Sequence, residues 1–268
     1  MRSHRIDRHA ALLRAYEIGH DGPPVLWLPG LGIPALLNFL ETVTDPVMPP
    51  ARHLLVDALG TGFSDAPTPP PETLAEQADI IADCLDAFGF PAAHVVGYSF
   101  GGAIAIELAR RHPDRVIDLM LAEANLFPGG GIASRSIATQ PRDAFVATGF
   151  AGMLADLRQG GETNPFLDRI AAGWSVADPA ALHAAASSLV TLPDDLAESL
   201  FALPLRRAFV LGEHSVAEWT ATPSADAPSP EVLTRAGIVV EILDGTGHDL
   251  MLTNPSGFAS IVSNWIVR

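Results

Sequence analysis

The chain has 268 residues, 48% of them hydrophobic and 18% charged, with a formal net charge of −15. That length and composition suit one globular α/β domain with a full core and exclude a disordered chain. The acidic balance argues against a nucleic-acid partner and against docking on an anionic membrane, both of which want a basic face.

Met1 to His9 is polar and lacks an apolar signal core, which points to a cytoplasmic protein. His4, His9 and His20 lie in polar N-terminal sequence and read as surface residues. Val25–Leu28 is a short apolar run, read as a buried strand that ends at Pro29-Gly30. Ala35–Leu40 reads as helix, and His53–Val56 as a second strand ending at Asp57. A Gly/Pro loop runs from Gly60 to Pro71. Thr73-Leu-Ala-Glu76 is a capping box, and Leu74, Ala78, Ile81, Leu85 and Phe88 keep helical spacing up to Gly89. Cys84, the single cysteine, falls in this helix among apolar neighbours. No internal disulfide can form, and the thiol reads as a small buried hydrophobe.

His94–Val96 leads into Gly97-Tyr98-Ser99-Phe100-Gly101, which reads G-x-S-x-G, and a helical run follows from Gly102. Strand, turn and helix in that order are what a nucleophile elbow requires. The tight turn leaves no room for side chains two residues either side of the serine. It lifts the Ser99 hydroxyl above the sheet edge and aims the first N–H groups of the helix at nearby negative charge. A plain Gly-Ser turn is the alternative. The helix ends at His112-Pro113, and Val116–Leu121 is the next strand. Strands alternating with helices imply a mostly parallel sheet covered on both faces.

From Asn125 to Leu203 the strand pattern vanishes. Helical segments Arg142–Gln159, Phe166–Trp174, Pro179–Thr191 and Asp194–Ala202 replace it. The sheet then resumes with Ala208–Leu211 and Ile238–Leu243, separated by a Pro/Ser/Ala-rich loop over Pro223–Pro230. Asn254-Pro255 caps a last helix. The chain thus divides into a core, residues 1–125 and 204–268, and a helical cap, residues 126–203, inserted before the last two strands. Open α/β sheets bind ligands outside their strand C-termini, where such a cap would sit as a lid. A layer that only stabilises the fold is the alternative. Phe145, Phe150, Met153, Phe166 and Trp174 give the cap an apolar character, which suits a hydrophobic small-molecule substrate. Trp174 is either a pocket residue or part of the cap's own core.

A serine hydroxyl needs a base, and histidine titrates nearest neutral pH. His248 sits in the Gly-rich loop Asp244-Gly-Thr-Gly-His248, after the last strand, where this chain order expects it. The oxyanion of acyl transfer needs preorganised donors. Phe100 N–H, just after the serine, is one candidate, and Leu31 N–H, in the loop after Val25–Leu28, is the other. Gly30, Tyr98 and Trp174 are expected to line the substrate site. No H-x-x-x-H pair or Cys/His cluster occurs, so neither a metal nor a cofactor is expected.

From about Arg14 to Trp265 these residues resemble the α/β-hydrolase superfamily. Pro29-Gly30 is similar to its oxyanion turn, Asp57-Ala-Leu-Gly-Thr-Gly-Phe-Ser64 to its D-x-x-G-x-G-x-S loop, and Arg111-His-Pro-Asp-Arg-Val116 to another of its motifs. One position departs. The family's usual acid follows the strand matching Ala208–Leu211, in a Gly-x-x-Asp turn, but here the turn reads Gly212-Glu-His-Ser215. A minority of the family carries the acid one strand earlier, and Glu123 stands there, an arrangement that resembles the zearalenone-type lactone hydrolases. Glu213 is the rival acid on the usual loop. The resemblance implies a serine hydrolase acting on a carboxylic ester or lactone through an acyl-enzyme, with Ser99, His248 and Glu123 as its triad. Lyase or C–C bond chemistry on the same triad, and a ligand receptor with little turnover, are the competing readings. A homodimer is left open.

Overall fold

A computed structural model describes residues 1–221 and 228–267 of the chain. The strands are β1 (Arg2–Ile6), β2 (Ala11–Ile18), β3 (Pro24–Leu28), β4 (Arg52–Asp57), β5 (Ala93–Tyr98), β6 (Val116–Ala122), β7 (Arg207–Gly212) and β8 (Val239–Leu243). They form one sheet in the order β1-β2-β4-β3-β5-β6-β7-β8. From β4 to β8 across the sheet all pairs are parallel, and β1 and β2 add an antiparallel edge.

That edge has no counterpart in the strands read from sequence, which begin at Val25. β1 shows why: only Ile6 of Arg2–Ile6 is buried, as suits an edge strand guarded by charge. β2 alternates inward Ala11, Leu13 and Ala15 with less buried residues, the half-buried period of two. His9, read as a surface residue, is 3% exposed and places Nδ1 2.7 Å from the Pro69 carbonyl oxygen.

The helices are α1 (Ala35–Val43), α2 (Leu74–Phe88), α3 (Phe100–Arg111), α4 (Ile132–Ala138), α5 (Arg142–Ala144), α6 (Phe150–Gly161), α7 (Pro165–Trp174), α8 (Pro179–Val190), α9 (Leu196–Ala202), α10 (Glu213–Ala221), α11 (Pro230–Arg235), α12 (Leu250–Thr253) and α13 (Pro255–Ile266). The Thr73–Glu76 capping box opens α2, and the Asn254 side chain accepts from Gly257 N–H at the start of α13. A π-helical turn, Phe145–Gly149, interrupts the helix expected over Arg142–Gln159. The expected Pro223–Pro230 loop lies, up to residue 227, outside the described residues.

Alternation along the strands sends side chains to opposite faces. Leu26, Val95, Leu119, Leu121 and Phe209 pack with α2, α3 and α9. Trp27, Val96, Met120 and Val210 pack with α1, α12 and α13. Ile137, Phe145, Leu154, Trp174 and Leu182 form a separate cluster within the helices between β6 and β7, joined by Ile33 from the loop after β3. α9 belongs with the core instead, packed against α3 through Leu196, Ala197 and Leu200. Cys84 is buried, and burial pushes its thiol pKa up. Among the described residues no helix is long and apolar enough to cross a membrane.

Candidate active site

The site is built where β3, β5, β6, β7 and β8 end side by side. Ser99 follows β5 directly, with φ 51° and ψ −116°. That strained turn is held by Ser99 N–H donating to the Ala122 carbonyl at 2.9 Å. The glycines around it are steric necessities. A Cβ at Gly101 would lie 2.2 Å from the Leu28 oxygen, and one at Gly97 2.7 Å from the Gly101 oxygen.

His248 Nε2 lies 3.2 Å from Ser99 Oγ, and His248 Nδ1 lies 3.3 Å from Glu123 Oε2. Hydroxyl, imidazole and carboxylate therefore stand in line. In this arrangement a proton can pass from Oγ to Nε2 while the carboxylate steadies the Nδ1 side. Distances a little over 3 Å fit a site without substrate, where such bonds are commonly slack. Glu123 is 4% exposed and adopts φ 48°, a left-handed backbone that few non-glycine residues take. Its N–H donates to the Val210 carbonyl at 3.0 Å, and its Oε1 accepts from Gly212 N–H at 2.7 Å. Both anchors come from β7, the neighbouring strand.

Glu213 stands apart from the imidazole. It opens α10, where a loop was expected, and its exposed carboxylate accepts from Gly245 N–H at 2.9 Å. His214 N–H donates to the Thr246 carbonyl at 2.8 Å, and the Thr246 hydroxyl to the Leu243 carbonyl at 2.7 Å. A Cβ at Gly212 would meet the Gly247 oxygen at 2.5 Å. The end of β7 thus braces the loop that presents His248. Ser215, in place of the usual acid, is buried at the cavity wall.

On the other side of Ser99 lies the turn Gly30–Ile33, closed by Ile33 N–H donating to the Gly30 carbonyl at 3.2 Å. Gly30 N–H donates to Asn38 Oδ1 of α1 at 3.0 Å. Gly30 rests on the Tyr98 ring, which a Cβ there would meet at 2.8 Å, and Tyr98 also packs on His248 with ring centroids 5.3 Å apart. Burial raises the Tyr98 hydroxyl pKa. Phe100 begins α3, so its N–H is among those left unpaired at a helix start. Trp174, 3% exposed, both lines the cavity and donates its indole N–H to the Leu31 carbonyl at 2.9 Å. The Asp57 loop supports this side from below. Asp57 accepts from Ala35 N–H at 2.7 Å, Phe63 N–H at 3.0 Å and the Tyr16 hydroxyl at 2.8 Å. It thereby anchors the start of α1, while burial raises its pKa against the lowering effect of those bonds.

Ser99, Glu123 and His248 open into a cavity of about 820 Å³ walled by Leu31, Phe127, Met153, Ile170, Trp174 and Trp219. Polar members that escape the sequence reading include two asparagines. Asn38 is buried in α1, and Asn125 places Oδ1 3.4 Å from Ser99 Oγ. The position of Asn125, two residues after Glu123, was the available signal. Among the described residues no cluster of three or more His, Cys, Asp or Glu side chains is grouped to hold a metal ion.

Residues 23–175, more than half of the chain, match the alpha/beta hydrolase fold family, and the chain belongs to it. A stretch of 65 residues is 45% identical to the RutD protein of Caulobacter vibrioides, covering 24% of this chain and 24% of that one. The chain therefore matches only about a quarter of that relative's length. Among solved structures, a carboxylesterase of the thaumarchaeon Nitrososphaera gargenis superposes with a TM-score of 0.80 at 13% identity, covering 99% of this chain and 98% of that one. The enol-lactonase from Burkholderia xenovorans LB400 superposes with a TM-score of 0.75 at 19% identity, covering 96% and 97%. At such identities the likeness is one of fold.

Proposed function

We propose that this protein is a serine hydrolase that cleaves a carboxylic ester or lactone of a hydrophobic small molecule through an acyl-enzyme. The observation that carries this is the line Ser99–His248–Glu123 at the floor of a largely apolar cavity. Its volume, about 820 Å³, lies in the range that takes a drug-sized ligand. The names of the superposed structures, a carboxylesterase and an enol-lactonase, support the same class.

Ser99 Oγ attacks the scissile carbonyl and gives its proton to His248 Nε2. Glu123 stabilises the imidazolium through Nδ1–H. Leu31 and Phe100 N–H receive the oxyanion, which needs donors fixed in advance. As the intermediate collapses, His248 returns the proton to the alkoxy oxygen, which leaves as an alcohol or, from a lactone, stays tethered to the acyl chain. Water then attacks the acyl-enzyme with His248 again as base, releasing the acid and restoring Ser99. Residues 126–203 serve as the lid, less α9, which packs with the core.

The test is a panel of p-nitrophenyl esters of graded chain length and a set of lactones, with product identification and Ser99→Ala as the blank. Turnover should fall at least on the order of 10³-fold in Ser99→Ala, leaving only oxyanion and binding catalysis. A fluorophosphonate should label the wild type alone. Labelling that survives Ser99→Ala sinks the assignment. Ligand-induced stabilisation without turnover would mark a receptor, and non-hydrolytic products a different chemistry.

A further inference from the structure

Two polar side chains in the cavity wall carry donors that nothing in the protein uses. Asn38, 3% exposed, accepts the Gly30 N–H on Oδ1 at 3.0 Å, which leaves its amide nitrogen turned away from that bond. Among the described residues neither this nitrogen nor the hydroxyl of Tyr98, 5% exposed, has a hydrogen-bond partner. Neither atom is sealed off, unlike the unpaired His9 Nε2, Arg14 Nη1, Thr42 Oγ1 and Arg207 Nε, and the open space that both residues border is the cavity. Buried polar groups are nearly always paired, because a donor left dry and unpaired is destabilising. Two idle donors in one wall are accounted for if a molecule that enters the cavity uses them.

Gly30 fixes where they stand. A Cβ there would lie 2.8 Å from Tyr98 Cε1 and 3.8 Å from Ser99 Cβ, and the Gly30 N–H is the one that Asn38 holds. Both side chains therefore flank the residue that borders the nucleophile. The charges nearby select the kind of ligand atom. Burial and the carboxylates of Glu123 and Asp249 all raise the Tyr98 pKa, so its hydroxyl keeps its proton through neutral and alkaline pH. The same carboxylates repel an anion placed against that hydroxyl. An uncharged carbonyl oxygen suits both donors, since it has two lone pairs and brings no proton that needs a partner.

We infer that Asn38 and Tyr98 form a polar subsite for a second, uncharged carbonyl oxygen of the substrate, a few bonds from the carbonyl that Ser99 attacks. This rests on the hydrolase reading and narrows its substrate class to oxo esters and oxo lactones. A substrate without that oxygen expels water from the wall and leaves both donors unpaired, so discrimination is steep.

The experiment compares matched esters on wild type, Tyr98→Phe and Asn38→Asp. Tyr98→Phe removes only the hydroxyl. Asn38→Asp keeps an oxygen for the Gly30 N–H and removes the amide nitrogen. The esters are butyl hexanoate, butyl 2-, 3- and 4-oxohexanoate, 2-oxobutyl hexanoate and the anionic monobutyl succinate, read by acid release. In wild type the best oxo ester should exceed butyl hexanoate in kcat/KM by at least about 100-fold beyond the ratio of their alkaline hydrolysis rates. That preference should fall about tenfold in each variant. A change in the seating of Gly30 or His248 acts on every ester and cancels in the ratio. The position of the oxo group in the best ester tells whether the subsite serves the acyl or the alcohol portion. Monobutyl succinate should gain nothing over butyl hexanoate. No oxo preference in wild type, a preference that survives either variant, or a Tyr98-dependent preference for the succinate overturns the inference. Ser99→Ala separates the two levels. If it still hydrolyses the best ester, the hydrolase reading itself fails. If it is dead while wild type treats plain and oxo esters alike, only the subsite fails.

Discussion

Leu26, Leu54, Leu119, Leu121 and Phe209 of the sheet expose no surface, whereas in α6 only Leu154 is buried, and Met153 and Leu157 turn to the cavity. The sheet is packed on both faces, so its strand ends are fixed. Every group proposed for proton transfer stands just beyond such an end. The helices between β6 and β7, α9 apart, share one small cluster, and Met153, Leu157, Phe166 and Ile170 among their apolar side chains line the cavity. Chemistry that needs fixed geometry sits on the first region, and shape that can vary among relatives is drawn from the second.

The sharpest way to break this comparison is to move the acid. Glu123→Gln should lower kcat on the order of 10⁴-fold with the fold intact, because the imidazole loses the group that orients it. Glu213→Gln should stay within about threefold of wild type, since it loses only an exposed brace to Gly245. A dead Glu213→Gln beside an active Glu123→Gln would reverse the assignment. Core truncation ranks next. Phe209→Ala should cost about 3–5 kcal/mol in denaturant unfolding, from transfer and cavity together. A loss no larger than that of Leu154→Ala would erase the distinction between the regions.

His53 tests how dry the core is. It is 3% exposed, accepts the Trp27 indole N–H at 3.1 Å on Nδ1, and has its pKa lowered to about 4 by burial. The folded state keeps it neutral, and the unfolded chain binds a proton below its ordinary pKa of 6.5. Stability from this residue is therefore full above pH 6.5 and is lost as pH falls toward 4. The loss should be on the order of 3 kcal/mol. Unfolding at pH 7 and pH 4 should show wild type losing that much more than His53→Gln, and equal losses would contradict it. The smallest effect belongs to the cap. Met153→Ala should shift the ratio of kcat/KM between long and short acyl esters by about tenfold while changing stability by less than about 1 kcal/mol. A large stability loss at constant preference would place Met153 in the packing instead.

Much of the sheet was legible because buried parallel strands are short apolar runs bounded by Gly and Pro, as in Val25–Leu28 before Pro29-Gly30. β1 was not, since an edge strand with charged side chains lacks that signature. α10 was hidden because Glu213–Ala221 has no apolar stripe to set a helical period. In the site, Ser99 and His248 declared themselves by their turns. Glu123 could be picked out only because Ser215 stands where an acid was expected. Asn38 was unreadable: its contact with Gly30 depends on α1 crossing the loop after β3, which is tertiary information.

The Gly212 N–H holds a carboxylate that belongs to the next strand. A loan of this kind changes what the following segment must do. In the proposed triad Glu123 serves the imidazole from β6, so residues 213–220 need lend it no side chain, and Ser215, Glu218 and Trp219 face the cavity instead. The stretch becomes an exchangeable cassette. Grafting or randomising it from Ser215 onward, with Gly212 and the His214 backbone kept, would alter which molecules are admitted while the reacting groups stay where the sheet puts them.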